Sequence, residues 1–518
     1  MRIQLVHPPV YVNLRALTAL RPGLPLGLAY VAASLEKAGH QVSVLDAVGA
    51  APARVTADGA MHRLGLPPDE IVARVDPAAD AIGITNMWSF SWPLVRDIVK
   101  GIRAAHPAKP IVAGGEHFTG LTRESMEQSP VDFVVRGEGE DTAVELFAAL
   151  EDGGLDAASV AGIAWRRGDE IVINAPRDRT RDVDQIPWPA WHLFDVRGYY
   201  AHSLITGIDA GLTVPILATR GCPYSCTYCS SPRMWTTRWV PREPGDVVDE
   251  IASYVRDFGA RNFPFQDLTA IVRKDWIVKF CRELLARGLE VSWQFPSGTR
   301  CEVIDDEVAE LLARSGGRSL AFAPESGSET TRQKIKKRMT EEGLLGAVRA
   351  SVRHGLNLTV FVVIGFPHDT EADLRETLKL ARKLARLGVD DLAIGFFFPI
   401  PSTELYDSLV AKGRITLSDE FLKTPIFANE KVLRDANNYC EHLTARELTR
   451  WKYRIHLAFY LKSALHHPAK LARLAWNVVR GRETRKMETV LIELARNTAR
   501  RLFFWRSAPV PAASPNYS

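Results

Sequence analysis

Apolar residues recur along this 518-residue chain in two blocks that alternate strand and helix periods. In the first block, short apolar runs at 3–6, 41–45, 81–85, 111–113 and 133–135 predict strands. Between them, helical spacing predicts helices over 25–38, 69–75, 93–106 and 141–150. Strands separated by helices make a parallel, doubly wound α/β sheet, with ligands at the carboxyl ends of the strands. Residues 1–150 are therefore read as one domain and 151–213 as a connection. That connection holds a hairpin of 160–166 and 170–174 around Gly168, then the run Ile186-Pro187-Trp188-Pro189-Ala190-Trp191. The run reads as a strap packed between two domains.

The second block spans 214–440. It predicts strands at 214–219, 262–266, 291–295, 319–323, 358–364 and 391–397. Helices are predicted at 246–257, 274–286, 305–314, 340–354 and 371–387. Six βα units make a partial (β/α)6 barrel with its chemistry at the strands' C-terminal ends. Residues 441–506 read as an α-helical segment, with helices at 453–465, 469–479 and 488–505, and 507–518 as a disordered tail.

Hydrophobic content of 46% and charged content of 24% are those of an ordinary globular protein. No signal, transit or membrane-spanning segment is read, so a cytoplasmic, reducing compartment is expected. The net charge of +4 conceals an asymmetry: residues 446–518 hold 15 Lys/Arg against 4 Glu. Confinement of the basic charge to one end argues against a nucleic-acid binder. It suggests an anionic partner instead: a membrane face, a carboxylated substrate or an acidic redox protein.

Cys222, Cys226 and Cys229 bring the chemistry. Their C-x3-C-x2-C spacing follows an apolar run and can hold three irons of a 4Fe–4S cluster, leaving the fourth open to a small molecule. Zinc sites want a second cysteine pair or histidines, and ferredoxin clusters want a fourth cysteine in C-x2-C-x2-C. Cys281 reads as core, Cys301 as near the site, and Cys440 is unassigned. In the first block, Gly114-Gly115-Glu116-His117 and Gly137-Glu138-Gly139-Glu140 stand at strand ends. There glycine lets backbone approach a ligand.

The cysteine motif resembles that of the radical S-adenosylmethionine (SAM) enzymes. With Val6-His7-Pro8-Pro9, Leu24-Pro25-Leu26-Gly27-Leu28-Ala29-Tyr30 and Leu45-Asp46-Ala47 upstream, residues 1–440 resemble the cobalamin-dependent group of that superfamily. The resemblance implies a Rossmann-like, flavodoxin-type cobalamin domain and a TIM-type partial barrel. The implied cofactors are a 4Fe–4S cluster, SAM and cobalamin. Gly114, Gly115, Gly137 and Gly139 would serve cobalamin, without the Asp-x-His-x-x-Gly motif that supplies a lower histidine ligand elsewhere; the loop Asn86-Met87-Trp88-Ser89 would face the cobalt.

In the barrel, Tyr228 would lie beside the adenine, Asp267 would accept from the SAM amino group, and Arg300 would neutralise its carboxylate or a substrate anion. Glu325 and Ser326, in Glu-Ser-Gly-Ser, would contact ribose or amine, and Gly365, in Gly-Phe-Pro, would pack by the adenine. Ser402 stands where the related Pro-x-Pro-Gly-Thr-x-Leu-Tyr motif has glycine.

The implied reaction is C-methylation of an unactivated carbon of a small or lipid-like metabolite, through a 5′-deoxyadenosyl radical and methylcobalamin. A flavodoxin or ferredoxin would supply electrons. Relatives that oxidise and cyclise a tetrapyrrole keep a cyclase open, and a non-catalytic cobalamin and cluster sensor or electron carrier is a third reading.

Overall fold

The computed structural model describes residues 1–13, 22–59, 61–153, 156–427, 432–485, 487–492 and 495. The end of the predicted last helix and the tail 507–518 lie outside the described residues. Five parallel strands form the body of the first sheet, in the order Gln41–Asp46, Arg2–His7, Ala81–Thr85, Ile111–Gly114 and Phe133–Val135. Leu5, Val6, Ile82 and Ile84 are all buried, because helices cover both faces of a parallel sheet. The strand order reverses between Arg2–His7 and Ala81–Thr85, which opens a crevice at their carboxyl ends.

The hairpin forms as Ile163–Arg167 and Glu170–Ile173 and pairs antiparallel onto Phe133–Val135, extending this sheet. A second small sheet, Val10–Val12, Met61–Leu64 and Val55–Asp58, has no counterpart in the sequence expectation. Thr56, Asp58, His62 and Arg63 break any apolar run in two of these three strands. The Pro/Trp strap does join the two blocks. Ala190 N–H donates to the Ala29 carbonyl (3.0 Å), and Trp188 Nε1 donates to Asp246 on the barrel's first outer helix (3.1 Å).

Five parallel strands make the barrel wall: Asn262–Pro264, Ser292–Gln294, Gly317–Glu325, Asn357–Ile364 and Asp391–Phe396. The strand expected at 214–219 meets the barrel wall only through parallel bridges, Thr213 to Asn262 and Ile216 to Phe265, and its end, Thr219–Arg220, pairs antiparallel with Val240–Pro241 instead. Pro215 has no N–H to give, and the N–H groups of Ala218 and Thr219 go to the Asp267 carboxylate instead of a neighbouring strand. The chain thus leaves the barrel wall just before the cysteines.

Asp391–Phe396 would be an open edge, and helix Ala445–His466 covers it. Tyr460 Oη donates to Asp391 (2.6 Å), and His456 Nε2 lies 3.1 Å from the Leu392 carbonyl. The helix starts eight residues before the expected 453, because Thr444 and Glu447 close a capping box. Leu448, Trp451, Ile455 and Phe459 face the barrel, while Tyr453, Leu457, Leu461 and Leu465 are exposed on the opposite side. Leu471, Trp476 and Val479 of helix Pro468–Val479 are exposed as well. Among the described residues, no helix is long and apolar enough to cross a membrane.

Candidate active site at the junction of the two sheets

The cysteine loop begins at Gly221, whose φ is 82°; a Cβ there would collide with the Arg238 carbonyl. Beyond it the loop is tied to two later segments. Thr227 N–H donates to the Ile335 carbonyl (3.1 Å), and Leu405 N–H donates to the Thr227 carbonyl (3.0 Å). Cys222, Cys226 and Cys229 are free thiols at half-buried positions. Burial pushes the Cys222 thiol up and the Cys229 thiol up to about 12, so a metal must displace their protons to bind. Cys281 and Cys301 are buried core thiols, and Cys440 Sγ is spent on the Asp369 carbonyl (3.2 Å).

The strand ends carry the expected residues in partly unexpected roles. Asp267 was expected to face the SAM amino group. It is buried, with its oxygens accepting from Thr219 N–H (2.5 Å), Thr219 Oγ1 (2.6 Å) and Ala218 N–H (3.2 Å). Burial raises its carboxyl to about 6 against those donors. Its visible work is to hold the backbone that enters the cysteine loop.

Arg300, expected on a carboxylate, is also engaged within the chain. It pairs with both oxygens of Glu302, donates to the Arg338 carbonyl and stacks 3.9 Å over the Tyr224 ring of the cysteine loop. Ser326 Oγ accepts from Ser328 N–H (3.1 Å) and lies 3.4 Å from Thr377 Oγ1. Gly327 lies so close to the 376–377 backbone that a Cβ would sit 2.5 Å from Thr377 Cα. The Glu-Ser-Gly-Ser motif is thus largely a packing device around one carboxylate.

That carboxylate is Glu325. It is buried with φ of 64°, a left-handed conformation that costs an ordinary side chain about 1–2 kcal/mol. Tyr228 Oη donates to Glu325 Oε1 (2.8 Å), and Lys337 Nζ lies 3.5 Å from the same oxygen. The Tyr228 ring meets Phe366 edge-on, centroids 5.7 Å apart. Gly365 has φ of 88° and donates its N–H to Asp369 (2.9 Å), so the Gly-Phe-Pro turn is fixed beside Tyr228. Lys337 and Asp369 were missed in the sequence: the first lies in the run Lys334-Ile335-Lys336-Lys337-Arg338, which looks like a solvated charge cluster. Ser402 adopts φ of 63°, the left-handed backbone state that glycine reaches most readily.

The first sheet's loops meet this site directly. Ser230, next to Cys229, donates to the half-buried Glu116 carboxylate (2.6 Å), whose proton affinity is raised by desolvation. Arg220 pairs with Glu140 (2.6 Å) with both side chains buried, and lies 4.9 Å over the Tyr30 ring. The Gly137–Glu140 loop, expected at a cofactor, is also spent on this junction. Gly137 N–H donates to Thr119 Oγ1 (3.1 Å), Gly139 packs against Val31, and Glu138 pairs with Arg179 (3.0 Å). Gly114 is a strand end whose carbonyl accepts from Asn86 N–H (2.9 Å). At Gly115 a Cβ would lie 2.6 Å from the Asn86 carbonyl, so glycine there answers packing within the crevice.

Asn86 and His117 lie buried at the base of the crevice; Asn86 Nδ2 and His117 Nε2 have no hydrogen-bond partner among the described residues. The His117 ring stacks on Trp92 (4.7 Å), and burial lowers its affinity for a proton to a pKa of about 3. Met87 and Trp88 stand exposed above, and Leu268 and Ile400 are exposed just past barrel strands. Large apolar side chains at strand ends on both sides of a junction mark a binding cleft.

Two family models match the chain: B12 binding domain over residues 13–147 and radical SAM superfamily over 216–381. An uncharacterized methyltransferase of Pyrococcus horikoshii is 27% identical over 465 residues, 89% of this chain and 93% of that protein. The anaerobic magnesium-protoporphyrin IX monomethyl ester cyclase of Synechocystis sp. is 30% identical over 387 residues, 73% of this chain and 72% of that protein. The solved structure of the radical S-adenosylmethionine methyltransferase TsrM from Kitasatospora setae, with cobalamin and a [4Fe-4S] cluster bound, superposes with a TM-score of 0.64 at 20% identity, covering 79% of this chain and 78% of that one. The chain belongs to the cobalamin-dependent radical SAM enzymes, whose cofactors are a 4Fe–4S cluster, SAM and cobalamin.

The residues present fit those groups. Three free thiols on one pinned loop suit a cluster whose corners are separate irons. The unpartnered Asn86 and His117 atoms, beneath exposed Met87 and Trp88, suit a large ring edged with amides.

Proposed function

We propose that this enzyme methylates an unactivated carbon of a small or lipid-like metabolite. The observation that carries this reading is the Ser230–Glu116 hydrogen bond, which ties the cysteine loop to the Gly114–His117 loop. Bound there, the cluster supplies the electron that cleaves a carbon–sulfur bond of SAM, and cobalamin carries the methyl group. The protein's part is to orient and to exclude water. Tyr228 and the Gly365 turn form one wall, Glu325 and Lys337 present opposite charges, and Leu268, Ile400, Met87 and Trp88 offer apolar surface to the substrate and the ring. Electrons come from a small reducing protein of the flavodoxin or ferredoxin class. The outer face of the C-terminal helices supports peripheral contact with an anionic membrane.

The test is anaerobic reconstitution with iron, sulfide and hydroxocobalamin, followed by metal analysis. About four irons and one cobalt per chain are expected; iron without cobalt sinks methyl transfer. The cyclase relative supports a second reading, oxidative ring closure of a tetrapyrrole. Product mass separates the two, since only methylation adds a methyl group.

A further inference from the structure

The crevice at the strand-order reversal has two walls, the chain that follows Arg2–His7 and the chain that follows Ala81–Thr85. A segment from the far end of the barrel reaches both. After helix Glu404–Ala411 the chain crosses to the first sheet as helix Asp419–Lys423 and the turn Thr424–Phe427. Ser418 Oγ caps that helix by accepting from Phe421 N–H (3.2 Å).

On the first wall, Lys423 Nζ lies 5.8 Å over the Tyr11 ring, and Asn13 Nδ2 donates to the Ile426 carbonyl (3.3 Å). On the second, the helix packs on the Ser89–Ser91 turn, and both ends of the Arg96 guanidinium donate to Asp419 (2.9 and 2.8 Å). That turn carries Phe90, on which Trp88 stacks (5.7 Å). The segment therefore bridges the crevice and backs the loop that holds Met87 and Trp88. Its root stays with the barrel, where Phe421 packs on Phe398 (5.3 Å) and Tyr406 (5.9 Å).

The two sides of the junction are fastened differently. Beside Ile111–Gly114 and Phe133–Val135, Arg220 and Glu140 pair with each side chain only 8% exposed. Parting a buried pair strands two charges, so that side is a fixed joint. On the other side, Arg96 and Asp419 are 20% and 43% exposed. Water can solvate both groups as they separate, and salt screens their attraction. Leu422 and Ile426 belong to the buried apolar group that both modules share, which favours reclosure. A ring seated between the modules enters where a fastening opens, and this is the one that parts readily.

We propose that residues 418–427 are a latch across the cobalamin crevice, and that the Arg96–Asp419 pair gates passage of the cofactor. This rests on the cobalamin reading of the first module and adds where the cofactor enters and leaves. The latch is closed with the crevice empty or filled. Weakening it therefore speeds entry and exit alike and leaves affinity nearly unchanged.

The experiment follows methylcobalamin in the dark by stopped-flow absorbance, with the full, cluster-reconstituted chain held without oxygen. Methylcobalamin carries no net charge, so salt acts on the protein alone. Wild type is compared with Arg96→Met, Asp419→Asn, the double variant and Arg96→Lys. Each neutral single variant should raise the association and dissociation rate constants together, about 3- to 5-fold, while the dissociation constant moves less than about twofold. The double variant should be no faster than either single one, because both remove the same pair. Arg96→Lys keeps the charge, loses the fork and should fall between. Rising ionic strength should speed both steps in wild type and in neither neutral variant. Unchanged rates, additive effects in the double variant, or weaker affinity through dissociation alone would each overturn the latch. If the variants do not fold, the wild type's salt response decides, and rates indifferent to salt overturn it equally. Failure of the wild type to take up methylcobalamin at all would instead strike the cobalamin reading.

Discussion

Cys226 Sγ lies against the 335–338 segment, 3.8 Å from the Lys336 carbonyl. Cys226→Ala should therefore leave the fold intact while abolishing the cluster and all SAM cleavage; retained iron–sulfur absorbance with turnover would refute the assignment. His117 makes a different prediction. Its folded pKa of about 3 lies below the unfolded value near 6.5, so the folded state binds the proton less readily. The associated stability is present above pH 6.5 and is lost as pH falls toward 3. The loss is about 2 kcal/mol by pH 5. His117→Gln should flatten the dependence of unfolding free energy on pH between 6.5 and 4, measured by denaturant titration.

Residue by residue, the cysteines and the strand-end carboxylates were legible because their types and spacing are rare. Engagement was not. Whether Arg300 faces a ligand or Glu302 depends on a rotamer choice between partners two residues apart, and Lys337 was hidden in a basic run whose inward turn depends on the left-handed Lys336.

Helix Ala445–His466 shows what governs legibility for an element. Its first turns read poorly because Arg446, Glu447 and Arg450 dilute the apolar stripe, although the Thr444 and Glu447 box marks the true start. The expected barrel strand at 214–219 had the right composition and the right place, yet Pro215 and Asp267 divert its N–H groups. The five longer βα repeats were legible because helix and strand periods each have several turns in which to show. Since Ile455 is fully buried against the barrel edge, Ile455→Ala should cost about 2–5 kcal/mol. Thermal unfolding of the cluster-free protein checks this; a change under 1 kcal/mol would mean the helix does not seal the last strand.

The whole molecule depends on the seam between its two sheets. One buried apolar group runs from Val6 and Ile84 in the first sheet and Phe118 in the helix Glu116–Gly120 to Phe366 and Phe397 past the barrel strands and Tyr406 in the helix Glu404–Ala411. Arg220 and Glu140 meet inside that seam, so Glu140→Gln leaves a buried guanidinium without its anion and should cost about 3–5 kcal/mol. Chemical denaturation should show the loss, and an unchanged midpoint would mean the pair is solvated.

At the opposite end, exposed Leu457, Leu461, Leu465 and Trp476 share a surface with exposed Arg450, Arg454, Arg473 and Arg480. Co-sedimentation with phosphatidylglycerol vesicles should be strong at low salt and fall as salt rises, by about 1 kcal/mol per engaged arginine. Equal binding to neutral vesicles, or none to either, would rule out electrostatic attachment.

The Ser230–Glu116 contact carries a consequence for how such enzymes can diverge. The cysteine loop is also part of the mortar between the two modules, tied to the first sheet's strand-end loop one residue after its last cysteine. A chimera that grafts another relative's first module onto this barrel would therefore alter the cysteine loop's support even with every cysteine unchanged. Recombination between relatives should succeed when the breakpoint carries Glu116, Glu140 and the 220–235 loop together, and fail when it parts them.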